Sequence, residues 1–257
     1  MPNAALVGLS AQVALRRDLD VVANNVANAN TTGYKANREV FQEYLSPVAR
    51  ENRFGGGDRV IRFVQDGGSW HDLGQGPIQE TGNPLDVAID GSAFLVVQTP
   101  NGERYTRAGA LQINNQGQLV TMDGSRVMGD AGPIVFQPLD RNISITPEGR
   151  VSVLEGADNK TDSQRGKIRM VVFAQPQQLQ KEGANTYSAP PAAGAAQPAG
   201  TGSKLIQGAI EKSNVKTVIE ITRLMEITRA YTNVSNLLSQ QNDLRKSAIE
   251  RLADVPT

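Results

Sequence analysis

Cysteine is absent from the 257 residues, histidine occurs only as His71 and tryptophan only as Trp70. The first absence excludes a disulfide framework, a thiolate nucleophile and a zinc knuckle. With one imidazole, a convergent nucleophile and base have almost nothing to draw on. Ser69, His71 and Asp72 crowd the same short stretch, where side chains rarely orient as a triad, and no G-x-S-x-G elbow occurs. An excess of either charge is also missing. The 26 Lys and Arg balance 26 Asp and Glu, which removes the electrostatic reason to expect nucleic acid or an anionic membrane surface. No run of about 18 apolar residues occurs, so stable membrane insertion is not expected. The opening residues lack the basic and apolar regions of a cleavable secretory signal. Aromatics are 5% of the chain, so any core rests on aliphatic side chains.

What is present is helical at both ends. From Asn3 to about Asn28, Leu6, Leu9 and Val13 fall roughly opposite Leu15, Leu19, Val22 and Val26 when each residue is stepped by about 100°. A helix apolar on two sides is expected to meet more than one neighbour. Residues 213–254 contain neither Gly nor Pro, and Leu224, Ile227, Tyr231, Val234 and Leu238 recur at three- and four-residue spacing. Ser213 stands where an N-cap would. A helix of about 40 residues extends about 60 Å and is expected to project or to pack outside a β domain.

The middle changes character. Apolar runs such as "LDVAI", "FLVVQT", "ALQI" and "QLVT" are each followed by a turn signal, and "KIRMVVFA" precedes Pro176, which reads as an all-β meander. Residues 189–202, "APPAAGAAQPAGTG", read as an unpacked connector. Between helix and meander, "REVFQEYL" reads as the extension of a short helix, "DRVIRFVQDGGSW" as a strand and "FGGGD" as a loop. The three glycines Gly55 to Gly57 lack the Gly-Lys-Ser/Thr of a phosphate loop. "DNKTD", Asp158 to Asp162, lacks the glycine and the final glutamate of a calcium loop. Asp86 and Asp90 border turns and are expected to cap them. No cofactor, metal or catalytic site is expected. The fold class that follows is α+β, with paired terminal helices, coiled-coil-like, flanking an inserted all-β domain. Its expected parts are a terminal-helix domain of residues 1–35 and 205–257, connecting segments 36–81 and 177–204, and a β-rich domain 82–176.

Three motifs carry a resemblance over most of the chain. They are "LDVVANNVANANTTGYK", the central "GPIQETGNPLDVAIDGSAFLVVQTPNGERYTRAGALQINNQGQLVTMDGSRVMG", and "LIQGAIEKSNVKTVIEITRLMEITRAYTNVSNLL". In this order they resemble the bacterial flagellar rod and hook family, and the start is most similar to its proximal-rod members. A distal-rod or short hook protein is the nearer alternative. A secreted β-domain enzyme or binding module on a helical stalk is the remote one. The resemblance implies a torque-transmitting structural subunit of the basal-body rod in the periplasm, with other rod proteins and further copies of itself as partners. It also implies export, without a cleavable signal, through the flagellar type III apparatus. Phe41 and Leu45 of "FQEYL" match the family's Phe-x-x-x-apolar export motif, or pack one turn apart. The helix stripes named above, with Asn24, Asn25 and Asn28, are then expected at subunit interfaces. One Asn or Gly33 suffices to end the first helix, so the surplus amides are expected to set helix register. Without partners the apolar stripes are expected to leave the terminal helices fluctuating in the monomer.

Overall fold

The computed structural model describes residues 2–50, 60–155, 161–183, 185–200 and 202–253, the side chains of 2–5, 40–69, 161 and 252–253 excepted. The "FGGGD" loop and most of "DNKTD" lie outside the described residues. The chain divides into two compact units, one of residues 1–27, 37–70 and 216–257, the other of residues 28–36 and 71–215.

The first unit is built on helices α1 (Pro2–Ala27) and α2 (Thr217–Ala253) and on strands β1 (Asn37–Arg50) and β2 (Val60–His71), which pair with each other as far as the unit reaches. The helices run antiparallel. A Cβ placed on Gly8 would lie 2.7 Å from Leu238 Cδ2, Asp18 binds Arg223, and Asn25 binds Glu220. The missing side chain at Gly8 therefore lets the two helices approach closely. Among the described residues no helix is long and apolar enough to cross a membrane.

Two expectations fail in and beside this unit. "REVFQEYL" lies in β1 and not in a helix. Its Val40, Phe41 and Tyr44 favour a pleated backbone, and pairing with β2 supplies the hydrogen bonds that local pattern cannot reveal. Ser213 is not the N-cap, because α2 begins only at Thr217. Its Oγ instead accepts the Val215 N–H at 3.2 Å and fixes a turn ahead of the helix.

The second unit is β throughout. Seven strands of a ten-stranded sheet follow the order Gln180–Glu182, Thr186–Ser188, Gly102–Thr106, Phe94–Thr99, Arg126–Gly129, Leu119–Thr121, Leu111–Ile113, and the other three branch from it. Phe94–Thr99 sits inside this sheet, and its first four residues are buried on both faces. Leu95 and Val97 enter a core with Val87, Ile89 and Ile134, whereas Phe94 and Val96 enter another with Phe173 and Tyr187. The alternation follows from the two-residue period of a strand, and burial on both sides explains why "FLVV" reads as an unbroken apolar run. Gly124 turns the chain after Leu119–Thr121 at φ +85°, a conformation that L side chains resist. Arg141–Ile145, Arg150–Glu155 and Thr161–Lys167 form a separate antiparallel sheet.

"KIRMVVFA" does not form one strand. Lys167 ends the three-stranded sheet, Ile168 bridges to Gly129, and Met170–Val172 joins the large sheet beside Phe94 and Leu95. The connector is also packed where it was expected to be loose. Pro191–Ala193 forms a short 3-10 turn that buries Ala193 completely, and Gln197–Pro198 pairs with Val171 and Val172. A two-residue pairing at the sheet's margin tolerates Pro198, which has no N–H to donate. Further strands follow in residues 177–211. Lys204–Gln207 pairs with Val87–Asp90, and Ala209–Glu211 pairs with Ile78–Glu80.

Candidate functional site

In the helical unit α1 buries the side carrying Val22, which is fully enclosed, with Leu15, Leu19 and Val26 half-buried. From α2, Ile227 is buried, and Leu224, Tyr231, Val234 and Leu238 are half-buried. The opposite side of α1 stays in solvent, with Leu6 52%, Leu9 53% and Val13 53% exposed. The two stripes read from the sequence thus have different surroundings, and only the later one is covered within the chain. On α2, Val218, Ile221, Met225, Leu237 and Leu244 are likewise exposed. Unburied aliphatic stripes of this extent mark an interaction surface.

The asparagines also divide. Asn25 is 0% exposed, and its side chain brackets the backbone of Asn37: Nδ2 donates to the carbonyl at 2.9 Å and Oδ1 accepts the N–H at 2.8 Å. The same Nδ2 lies 3.4 Å from Glu220 Oε2, and Arg38 Nη1 donates to Glu220 Oε1 at 2.9 Å. Glu220 is fully buried in the first turn of α2, where a carboxylate is favoured by the free N–H groups of the helix start. Asn25 therefore holds the chain's own strand and partner helix, and is not open to another subunit. Asn24 lies exposed on α1, and Asn28 is half-buried with its Oδ1 accepting from Thr31. Phe41 and Leu45 lie on β1, with their side chains outside the described residues. Beside α1, Asp18 accepts from Arg223 at 2.9 Å. Burial and the Asp18 carboxylate push the neighbouring Glu39 carboxyl above its usual range.

In the β unit charged residues from all three motifs meet. Lys35, which closes T-T-G-Y-K, Arg107 of the central "YTRAG" and Glu211 of "GAIEKSN" form one enclosed cluster. Lys35 Nζ donates to Glu211 Oε1 at 2.5 Å and to the Gly74 carbonyl at 2.7 Å. Arg107 Nη1 donates to Glu211 Oε2 at 3.1 Å, and Gly76 N–H to Oε1 at 2.8 Å. Burial lowers the Lys35 pKa, which Glu211 partly restores. Gly33, at φ +68°, lies where a Cβ would fall 2.5 Å from the Arg107–Ala108 backbone. The glycine of T-T-G-Y-K is thus required by close packing in the β unit as well as by the turn after α1. Nothing in composition singled out these charges. The available signal was their place inside the motifs, each a charged group beside residues that pack.

His71 packs within the β unit. Its ring meets Tyr187 edge-on at 5.9 Å, and burial, with Lys181 nearby, lowers its pKa. Lys181 Nζ stands 3.6 Å over the Tyr34 ring, and burial lowers it to about 8. Asp86 accepts from Thr81 and Asn83, as turn capping requires. The arrangement offers enclosed ionic clasps and exposed apolar helix faces, which suit assembly.

Comparison with known proteins agrees with this. Residues 6–35 match the family described as flagella basal body rod protein, residues 88–153 the flagellar hook protein FlgE/F/G D1 domain, and residues 206–251 the flagellar basal body rod FlgEFG protein C-terminal region. The chain is 40% identical to the flagellar basal-body rod protein FlgF of Caulobacter vibrioides, over 99% of this chain and 100% of the relative. It is 34% identical to FlgG of the same organism, over 93% and 94%. To FlgG of Bacillus subtilis it is 32% identical, over 94% and 96%. With relatives this similar along nearly its whole length, the chain belongs to the flagellar basal-body rod protein family.

Proposed function

We propose that this chain is a structural axial subunit of the bacterial flagellar basal-body rod, assembling through its terminal helices and transmitting torque across the periplasm. The observation that carries this is the state of α1. One side is already packed within the chain, yet Leu6, Leu9 and Val13 stay exposed on the other. A helix with a second apolar face needs a second neighbour. Copies of this chain and related rod proteins supply helices of the same pattern. A shaft needs stiff, unreactive subunits, and the half-buried Asn25–Glu220–Arg38 and enclosed Lys35–Glu211–Arg107 clasps provide fixed geometry without catalysis.

A proximal position, adjoining the distal rod, is favoured by one comparison. In Caulobacter vibrioides, where both types occur, identity is 40% to FlgF and 34% to FlgG. Delivery is through the flagellar type III export apparatus without a cleavable signal, with Phe41 and Leu45 as its gate motif. Basal bodies purified from cells making either the full chain or one lacking residues 213–257 test the assignment. The full chain is expected in the proximal rod and the shortened chain is expected to be absent. Finding neither in the particles overturns the assignment. Finding the full chain in the distal rod or hook instead selects the neighbouring role.

A further inference from the structure

The chain passes between its two units four times, at 27/28, 36/37, 70/71 and 215/216. On the β side these crossings belong to three short segments, 28–36, 71–77 and 211–215, the first of which serves two of them. All three segments are bound to one another. Gly33 N–H donates to the Glu211 carbonyl at 2.8 Å, Asp72 N–H to the Ala36 carbonyl at 2.9 Å, and Lys212 N–H to the Pro77 carbonyl at 2.9 Å.

One side chain joins all three. Asn214 Oδ1 accepts the Ala36 N–H at 2.8 Å, while Nδ2 donates to the carbonyls of Asp72 at 2.7 Å and Gly74 at 3.1 Å. Its own N–H reaches the Tyr34 carbonyl at 3.3 Å. Beside it, Lys35 and Glu211 close the same three segments through Gly74 and Gly76. The approach is tight, since a Cβ on Gly76 would lie 2.0 Å from the Lys212 carbonyl oxygen. An asparagine amide carries one acceptor oxygen and two donor N–H groups on a short stem, so it can bind an N–H and two carbonyls at once.

We propose that Asn214 is the positioning residue of a load-bearing clamp, which gathers every chain crossing into one knot so that force entering along any crossing is shared by all. The clamp as a structure stands on the geometry alone, and its load-bearing role rests on the rod assignment above. Without it, each crossing would pull on its own strand end, and short pairings such as Ala209–Glu211 with Ile78–Glu80 would open in turn.

Hydrogen exchange on the purified full chain, with Asn214→Ala and Asn214→Asp, tests the structure. In Asn214→Ala the amides of Gly33, Ala36, Asp72 and Gly76 are expected to exchange about tenfold faster, while Val96 and Val97 in the sheet keep their rates. Asn214→Asp keeps the acceptor for Ala36 but loses both donors. Asp72 and Gly76 should then loosen while Ala36 stays slow. Unchanged rates in both variants, or equal acceleration at Val96 and Val97, overturn the clamp. Swimming in media of rising viscosity tests the load. Cells with Asn214→Ala are expected to incorporate the chain and swim normally at low viscosity, and to lose speed faster than wild type as load rises. Equal loss in both strains overturns the load-bearing role. Absence of the unaltered chain from basal bodies overturns the rod assignment and the load-bearing role with it, whatever the exchange rates show.

Discussion

Glu211 is the only carboxylate that the enclosed Lys35 and Arg107 ion pairs share among the described residues. Glu211→Gln keeps the shape and strands two buried cations, so it is expected to destabilise the β unit by about 3–5 kcal/mol, measurable by denaturant unfolding. Asn25 and Asn24 are expected to separate in the same assay. Asn25→Ala leaves both polar groups of the Asn37 backbone without their bracket, at about 1–3 kcal/mol for each unsatisfied group. Asn24→Ala, at an exposed position, should leave monomer stability almost unchanged. Lys181 adds a pH term. Its pKa is lowered to about 8 in the fold against 10.5 outside it, so between these values the unfolded chain binds more protons. Stability from this group is therefore complete above pH 10.5 and lost as pH falls through 8. Wild type should gain on Lys181→Met between pH 8 and pH 10, and a constant difference over that range would contradict the assignment. At this scale little was legible beforehand. The asparagine cluster was visible in "VVANNVANAN", but its division into a buried Asn25 and an exposed Asn24 depends on helix phase relative to β1 and α2, which are distant in sequence.

Helices were the most legible elements, because a 3.6-residue period over 26 and 37 residues leaves few alternatives. Strands were legible where one face alternates or where a run is enclosed on both sides, as in Phe94–Thr99. The strands that the sequence reading missed share a common reason. Asn37–Arg50 and Gln197–Pro198 owe their strand state to partners elsewhere in the chain, and no local pattern reports a partner. The helix pair carries its own test at Gly8. Gly8→Ala should be nearly neutral, since better helix propensity offsets a small displacement of Leu238. Gly8→Leu should cost about 1–3 kcal/mol by forcing the helices apart.

The whole molecule is two units whose chain crosses four times, with apolar helix faces that its own fold leaves in water. The class α+β was legible because the three sequence regions differ so plainly in period. The extent of the β unit was not, because residues 28–36, 71–81 and 177–215 join it through single side chains and short pairings. The claim on which the rest depends is that the Leu6, Leu9 and Val13 face is covered by neighbouring axial subunits. The natural absence of cysteine makes a single Leu9→Cys a unique label site. Maleimide labelling of Leu9→Cys, compared between dilute purified chain and isolated basal bodies, tests the claim most directly. Rapid labelling in solution and strong protection in basal bodies is the expected result. Equal rates in both would show that this face stays open in the assembly and would contradict the account.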